Sequence, residues 1–250
     1  MDYKDLLVQD EGGVRMIMLN RPARRNALNE QLRDELEACL NEAASDEAIR
    51  VVVLTGGEQV FSAGFDLAEV AATEFGTFEH RAREFNTAVF AFPKPLLTAV
   101  SGPALAGGFD LALAGDVILV SETAVFGHPE VSFGVPALLS PLWRRVGVSR
   151  ALAFSLTGKT VTAQEALALG LVDRVVPVTD LLAEAQKVAA QIAALPSLQL
   201  RLMKEAADVV PSLGLLPGIE YELGLAQTAV QDGAALARLK AYLEQKGIGR

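Results

Sequence analysis

Two short glycine-bearing turns are the segments of this chain best suited to chemistry. Phe61-Ser62-Ala63-Gly64-Phe65-Asp66-Leu67 lies a short loop beyond the apolar run Val51–Thr55. Gly102-Pro103-Ala104-Leu105-Ala106-Gly107-Gly108-Phe109-Asp110-Leu111 follows a second apolar run, Leu96–Ser101. Small residues at 62–64 let backbone come close to a ligand, and Gly64 permits a positive φ. Free N–H groups at a helix start carry partial positive charge and favour an anionic oxygen. Two such turns, each leaving a strand of one sheet, could aim two N–H groups at one point, which is what an oxyanion hole requires. Taken singly, each turn reads equally as tight helix–strand packing. Neither G-x-x-x-x-G-K-S/T nor G-x-G-x-x-G occurs, so neither turn reads as a phosphate loop.

Other reactive side chains are sparse. With two histidines and one cysteine, soft metal ligands are few, and the nearest ligand pair is His128 with Glu130, two apart on an expected loop. The sequence therefore predicts no metal site. Cys39 sits among apolar residues at helical spacing and reads as a small core side chain.

The elements that must hold the turns are legible from periodicity. Tyr3–Val8 and Val14–Asn20 flank Asp10-Glu11-Gly12-Gly13 and predict a β-hairpin. Asn29 can cap a helix in which Leu32, Leu36, Leu40 and Ala43 recur along one face. Val51–Thr55 is a β-branched run of the kind buried on both sides. Strand, helix, strand in that order implies a right-handed crossover and a parallel pair. Residues 69–90 carry Phe75, Phe78, Phe85 and Phe90 at weaker periodicity, consistent with a lid or with a helix packed on the core. Leu96–Ser101, Asp116–Ser121, Ala124–Phe126 and Leu171–Val176 read as further strands. From Ser149 the chain reads as almost wholly helical, with a capping box at Thr162-Ala163-Gln164-Glu165 and Gly170 placed to end that helix. Later helices are punctuated by Pro196, Pro211 and Pro217.

Composition bounds the function. At 250 residues, 51% of them hydrophobic, the chain can bury a large core. We divide it into an α/β core, residues 1–195, and a helical region, residues 196–250. No stretch approaches the roughly 18 apolar residues of a membrane span, and Met1-Asp2-Tyr3-Lys4-Asp5 has no features of a secretion signal. A soluble, cytoplasmic protein without membrane partners is expected. A net charge of -9 with no basic stripe argues against nucleic acid, and an anionic ligand would need local positive groups.

In order and spacing, Asn20-Arg21-Pro22, Asn26-Ala27-Leu28, Ser62–Leu67, Gly102–Leu111, Gly127-His128-Pro129-Glu130 and Leu156-Thr157-Gly158…Ala166…Gly170-Leu171-Val172 resemble the crotonase (enoyl-CoA hydratase/isomerase) superfamily across nearly the whole chain. The resemblance implies a core of repeated ββα turns with a helical C-terminal trimerisation region. It implies an acyl-CoA thioester substrate, no cofactor beyond the coenzyme A the substrate carries, and a homotrimer or hexamer. It assigns the oxyanion-hole amides to Phe65 and Gly107. It lays coenzyme A along Arg24, Arg25, Ala27, Ala63, Asp66 and Leu67, where the arginines would offset phosphate charge. Tyr242, Lys246 and Arg250 fall where relatives touch coenzyme A from a neighbouring subunit, although the family's terminal aromatic is not evident.

The same resemblance places catalytic carboxylates at Asp110 and Glu130. Hydratases usually carry Glu at the first position, and Asp110 is shorter by one carbon–carbon bond, about 1.5 Å. Hydration of a 2-enoyl thioester uses both carboxylates, one for water and one to pass a proton to C2. Isomerisation of a 3-enoyl to a 2-enoyl thioester needs Glu130 alone and is the alternative. A non-catalytic assembly or RNA-binding relative is a third reading, disfavoured by the net charge. Val135-Pro136-Ala137-Leu138-Leu139-Ser140 replaces a glycine-rich turn and should reshape the acyl pocket. His128 is expected to stabilise its turn or to bond near Glu130; His80 is expected at the surface, and Trp143-Arg144-Arg145 reads as helix surface with Trp143 anchored.

Overall fold

Short apolar runs become strands here because each pairs with a neighbour, and the central ones also pack on both faces. The computed structural model describes residues 3–231 and 233–246. Its strands are β1 (Leu6–Glu11), β2 (Val14–Leu19), β3 (Val51–Thr55), β4 (Leu96–Val100), β5 (Pro103–Leu105), β6 (Val117–Ser121), β7 (Val125–Gly127), β8 (Thr160–Thr162) and β9 (Arg174–Val176). Six of them form one sheet in the order β1-β2-β3-β4-β6-β9, antiparallel only at the β1–β2 hairpin. The other three make a small sheet, β5-β7-β8.

The predicted crossover is α1 (Glu30–Ser45), and the Asn29 side chain caps it by accepting from Leu32 N–H. Leu32, Leu36, Leu40 and Ala43 lie on its buried face, as their spacing requires. They share a core with Val52 and Leu54 of β3, Leu96 and Val100 of β4, and Ile118 and Val120 of β6. The alternate residues Val51, Val53, Leu97, Ala99 and Leu119 face a second core. There α8 (Leu181–Ala193) lays down Leu181, Ala185, Ala189 and Ala193 at four-residue spacing. Burying a single Val or Leu contributes roughly 1.5–3 kcal/mol, so these doubly covered strands form a rigid base for the loops that leave them.

Residues 69–90 resolve into the end of α2 (Leu67–Ala72) and α3 (Phe75–Phe90), and Phe85 and Val89 join the first core. The packed-helix reading of that segment therefore holds. Between them and the C-terminus of the core come α4 (Gly107–Leu113), α5 (Leu139–Val146), α6 (Val148–Thr157) and α7 (Ala163–Leu169). The capping box at Thr162 and Glu165 is formed, with Gly170 left-handed at the other end of α7.

Several expectations need correction. The first strand begins at Leu6 and runs to Glu11, because pairing of Glu11 with Val14 tightens the turn to Gly12-Gly13. The helix read at Trp143-Arg144-Arg145 is α5, whereas the stretch beyond Ser149, expected to be almost wholly helical, contains β8. The last strand shortens to Arg174–Val176, where β6 offers partners. Pro217 lies in the first turn of a helix and does not interrupt it.

By contact density the chain divides into Met1–Ala194 and Leu195–Arg250. The second unit contains α9 (Ser197–Val209), α10 (Leu215–Gln231) and α11 (Ala234–Lys246). Its helices expose Met203, Leu215, Leu216, Leu223, Val230 and Leu239.

Candidate active site

The loop before α1 is held by one buried amide. Asn26, only 1% exposed, donates from Nδ2 to the carbonyls of Gly56, Val60 and Phe61 at 3.0–3.1 Å. Its Oδ1 accepts from Arg21 N–H at 2.9 Å, and its carbonyl accepts from Ser62 Oγ at 2.8 Å. A left-handed backbone at Arg25 and Asn26 makes this geometry reachable. Asn26 thus fastens residues 21–28 to the first glycine turn.

The two turns meet. Ser62 and Ala104 form a parallel bridge, and Leu105 N–H donates to Ser62 O at 3.0 Å. Gly64, at φ 92°, has no room for a side chain, because a β-carbon there would lie 2.8 Å from Leu105 O and 2.9 Å from Ala106 Cβ. Ala106 takes φ 49°, ψ -130°, a conformation that costs a non-glycine residue about 1–3 kcal/mol. It is held there by its N–H to Gly127 O at 2.9 Å and by its own carbonyl accepting from Phe109 and Asp110 N–H. Among the described residues, neither Phe65 N–H nor Gly107 N–H donates to any acceptor. Two adjacent turns therefore present two unused donors, the arrangement suited to an oxyanion.

Beside them stands a buried acid–base cluster. Asp110 lies in the first turn of α4 and is 4% exposed. His128 follows β7 and is fully buried, with its ring 4.7 Å from that of Phe109 and 6.1 Å from that of Phe154. Its Nε2 is 3.1 Å from Asp110 Oδ1. Glu130 sits in the 3-10 turn Pro129–Phe133, half-buried, and its Oε2 has no hydrogen-bond partner among the described residues. Donor atoms of Asp110, His128 and Glu130 all lie within 4.8 Å of one another. Burial pushes the Asp110 carboxyl above the usual carboxylate range, with the His128 bond acting against it. Burial also raises Glu130, opposed by a backbone N–H, and the nearby Asp110 adds to the rise. This spacing would suit a cation as well as protons. His128 was expected to stabilise its turn or approach Glu130; its bond is to Asp110, because β5–β7 pairing sets Leu105 opposite Gly127.

The remaining sequence candidates are split. Ala63 N–H donates to Arg25 O at 3.0 Å, and Leu28 bridges Phe65, so Arg24, Arg25, Ala27, Ala63, Asp66 and Leu67 lie along one paired stretch. Arg24 and Arg25 are exposed and carry no ion pair among the described residues. Asp66 caps α2 through Ala68 N–H and lies 3.4 Å from Arg21. Leu67 is 69% exposed. Tyr242, with Lys246 over its ring, belongs to the second unit, and Arg250 is outside the described residues. His80 is exposed beside Glu84, and Trp143 packs partly on the core.

Sequence reasoning missed Arg33. Buried on α1, it donates to Leu28 O at 2.8 Å, pairs with Glu69 at 2.6 Å, and lies 5.7 Å from the ring centroids of both Phe65 and Phe78. The only signal was a charged residue on the apolar side of a helix.

The sequence profile described as "Enoyl-CoA hydratase/isomerase" matches residues 9–248. A probable enoyl-CoA hydratase of Rhizobium meliloti is 40% identical, over 98% of this chain and 100% of that protein. A putative enoyl-CoA hydratase of Thermus thermophilus is 39% identical, over 95% of this chain and 97% of the relative. The crystal structure of an enoyl-CoA hydratase from Bacillus anthracis superposes with a TM-score of 0.92 at 33% identity, covering 97% of each chain. No helix among the described residues is long and apolar enough to cross a membrane. With its sheet order, its paired glycine turns and these likenesses, the chain belongs to the enoyl-CoA hydratase/isomerase family.

Proposed function

We propose that this chain is an enoyl-CoA hydratase that adds water reversibly across the double bond of a 2-enoyl-CoA thioester. One observation carries the choice of reaction: Asp110 and Glu130 bring carboxylate oxygens within 4.8 Å of each other. Hydration needs two proton-handling groups around one water, whereas isomerisation needs only Glu130. In the proposed reaction the Asp110 carboxylate orients the water and takes a proton from it as oxygen bonds to C3. The Glu130 carboxyl, kept protonated to higher pH by burial, gives its proton to C2. Phe65 and Gly107 N–H groups hold the thioester oxygen while its negative charge develops, a contribution of roughly 10²–10³ in rate per donor.

Arg24 and Arg25 are exposed beside this turn, and they supply local positive charge for the coenzyme A phosphates. The helical region 196–250 carries the exposed leucines described above, which supports assembly into a trimer or hexamer. Purified protein assayed with 2-enoyl-CoA and 3-enoyl-CoA tests the reading. Hydration is expected, and Asp110→Asn should lower it by about 10²–10⁴-fold. Full hydration by that variant would sink the two-carboxylate mechanism, and turnover of 3-enoyl-CoA alone would make the enzyme an isomerase.

A further inference from the structure

The proposed mechanism uses Asp110 and Glu130 but gives the buried imidazole beside them no task. His128 is fully buried, between rings that a phenylalanine would fill as well without burying two polar nitrogens. One nitrogen is committed, Nε2 at 3.1 Å from Asp110 Oδ1. The other, Nδ1, is buried and has no partner among the described residues. A proton on Nδ1 would be a stranded donor, so the imidazole proton belongs on Nε2, where it is donated to Asp110. Among the described residues Asp110 is the one charged group bonded to the ring, and Glu130 is the other carboxylate within 4.8 Å.

We propose that His128 is a positioning residue that fixes the shortened carboxylate: its Nε2–H holds Asp110 Oδ1 and thereby sets the direction of Oδ2. An aspartate reaches less far than a glutamate, and error of about 1 Å costs on the order of 100-fold in rate. With Oδ1 tied, the side chain has one orientation, and Oδ2 is left for the water. The donated hydrogen bond also acts against the rise that burial imposes on the Asp110 carboxyl. The contact depends on a residue eighteen positions away, brought in by the pairing of β5 with β7.

This inference rests on the hydratase reading, so the experiment separates the two. Wild type, His128→Phe, His128→Gln, Asp110→Asn and the double variant His128→Phe/Asp110→Asn are compared with 2-enoyl-CoA, with thermal unfolding as the folding control. Glutamine can place an N–H near the position of Nε2; phenylalanine fills the space without a donor. For His128→Phe, kcat should fall about 100-fold with KM little changed, and the acidic limb of kcat/KM should move to higher pH. His128→Gln should recover most of kcat, and adding His128→Phe to Asp110→Asn should cost little more. Equal losses in both His128 variants, an unmoved pH limb, or fully additive losses would overturn the proposal. If wild type hydrates no enoyl-CoA, the function reading fails, and the nitrogen-15 imidazole spectrum still decides the dyad. A proton on Nε2 with a bare Nδ1 upholds the assigned contact, and a proton on Nδ1 removes it.

Discussion

Gly64 and Gly107 approach so closely that a β-carbon on Gly64 would stand 3.1 Å from the Gly107 nitrogen. The two turns are therefore one structural unit, and the spacing between their free N–H groups is fixed by backbone. Gly64→Ala must both adopt a positive φ and push on Leu105 O and Ala106 Cβ. We expect a loss of about 10²–10³ in kcat with the circular dichroism of the fold retained.

Gly107→Ala is a graded control. Its β-carbon would meet the Phe65 ring at 2.9 Å, a side chain that can shift, whereas Gly64 meets backbone. The activity loss should be smaller than for Gly64→Ala, as measured by steady-state hydration of 2-enoyl-CoA. The reverse order would mean that the two turns do not share one hole.

Stability should depend on pH through the carboxylates. Burial raises both Asp110 and Glu130 above their ordinary values of 3.8 and 4.5. A carboxyl with a raised folded pKa binds its proton more tightly when folded. Its contribution to stability is complete below the unfolded value and is lost as pH rises through the folded one. Glu130→Gln removes that loss, so at pH 8 the variant should melt a few degrees above wild type, with the gap closing toward pH 4. Its hydration should nonetheless fall by about 10²–10⁴-fold. In wild type the activity itself should decline as pH rises through the Glu130 value, because the proton donor is then spent. Calorimetry showing a gap that widens on acidification would contradict the burial of Glu130 as the cause.

What the sequence made legible was local. Asn29 with the leucine spacing of α1, the capping box at Thr162, and the β-branched run of β3 are each set by neighbours within a few residues. Strands β5 and β8 were not legible, because three residues carry no period and only pairing with the two edges of β7 defines them. The site divides in the same way. Glycine turns offered the Phe65 and Gly107 amides as candidates, and the family resemblance supplied their proposed role and those of Asp110 and Glu130. The Asp110–His128 bond needed the register Leu105↔Gly127, and the Asn26 hub needed three carbonyls thirty or more positions away.

Lys94 offers a test of the scaffold alone. Its Nζ donates to the carbonyls of Ala43, Asp46 and Ile49 at 2.6, 2.6 and 2.8 Å. It ties the end of α1 and the approach to β3 to the segment entering β4. Hydrogen bonds from a charged donor contribute about 1.5–3 kcal/mol each, and less in sum when they share one ammonium. Lys94→Met should destabilise the protein by roughly 2–3 kcal/mol in chemical denaturation, leaving KM for 2-enoyl-CoA unchanged.

Arg33 connects scaffold to site and should reveal it by coupling. Its guanidinium bonds Leu28 O and Glu69, and it lies beside the Phe65 and Phe78 rings, themselves 5.3 Å apart edge to face. Glu69 also accepts from Glu30 N–H at 2.7 Å, so its carboxylate holds α2 to the start of α1 through two contacts. Arg33→Met keeps an apolar stem but leaves Leu28 O and the Glu69 carboxylate short of a donor, an expected cost of about 1–3 kcal/mol. Arg33→Lys keeps the charge yet has no planar fork to serve a carbonyl and a carboxylate together, so it should recover only part. Because Phe65 supplies a proposed oxyanion donor, kcat should fall along with stability, while the Lys94 variant loses stability alone. In a double-mutant cycle, Arg33→Met and Glu69→Gln should couple by about 0.5–3 kcal/mol. Simple additivity of the two, with full activity in Arg33→Met, would show that the clamp and the Phe65 amide are independent.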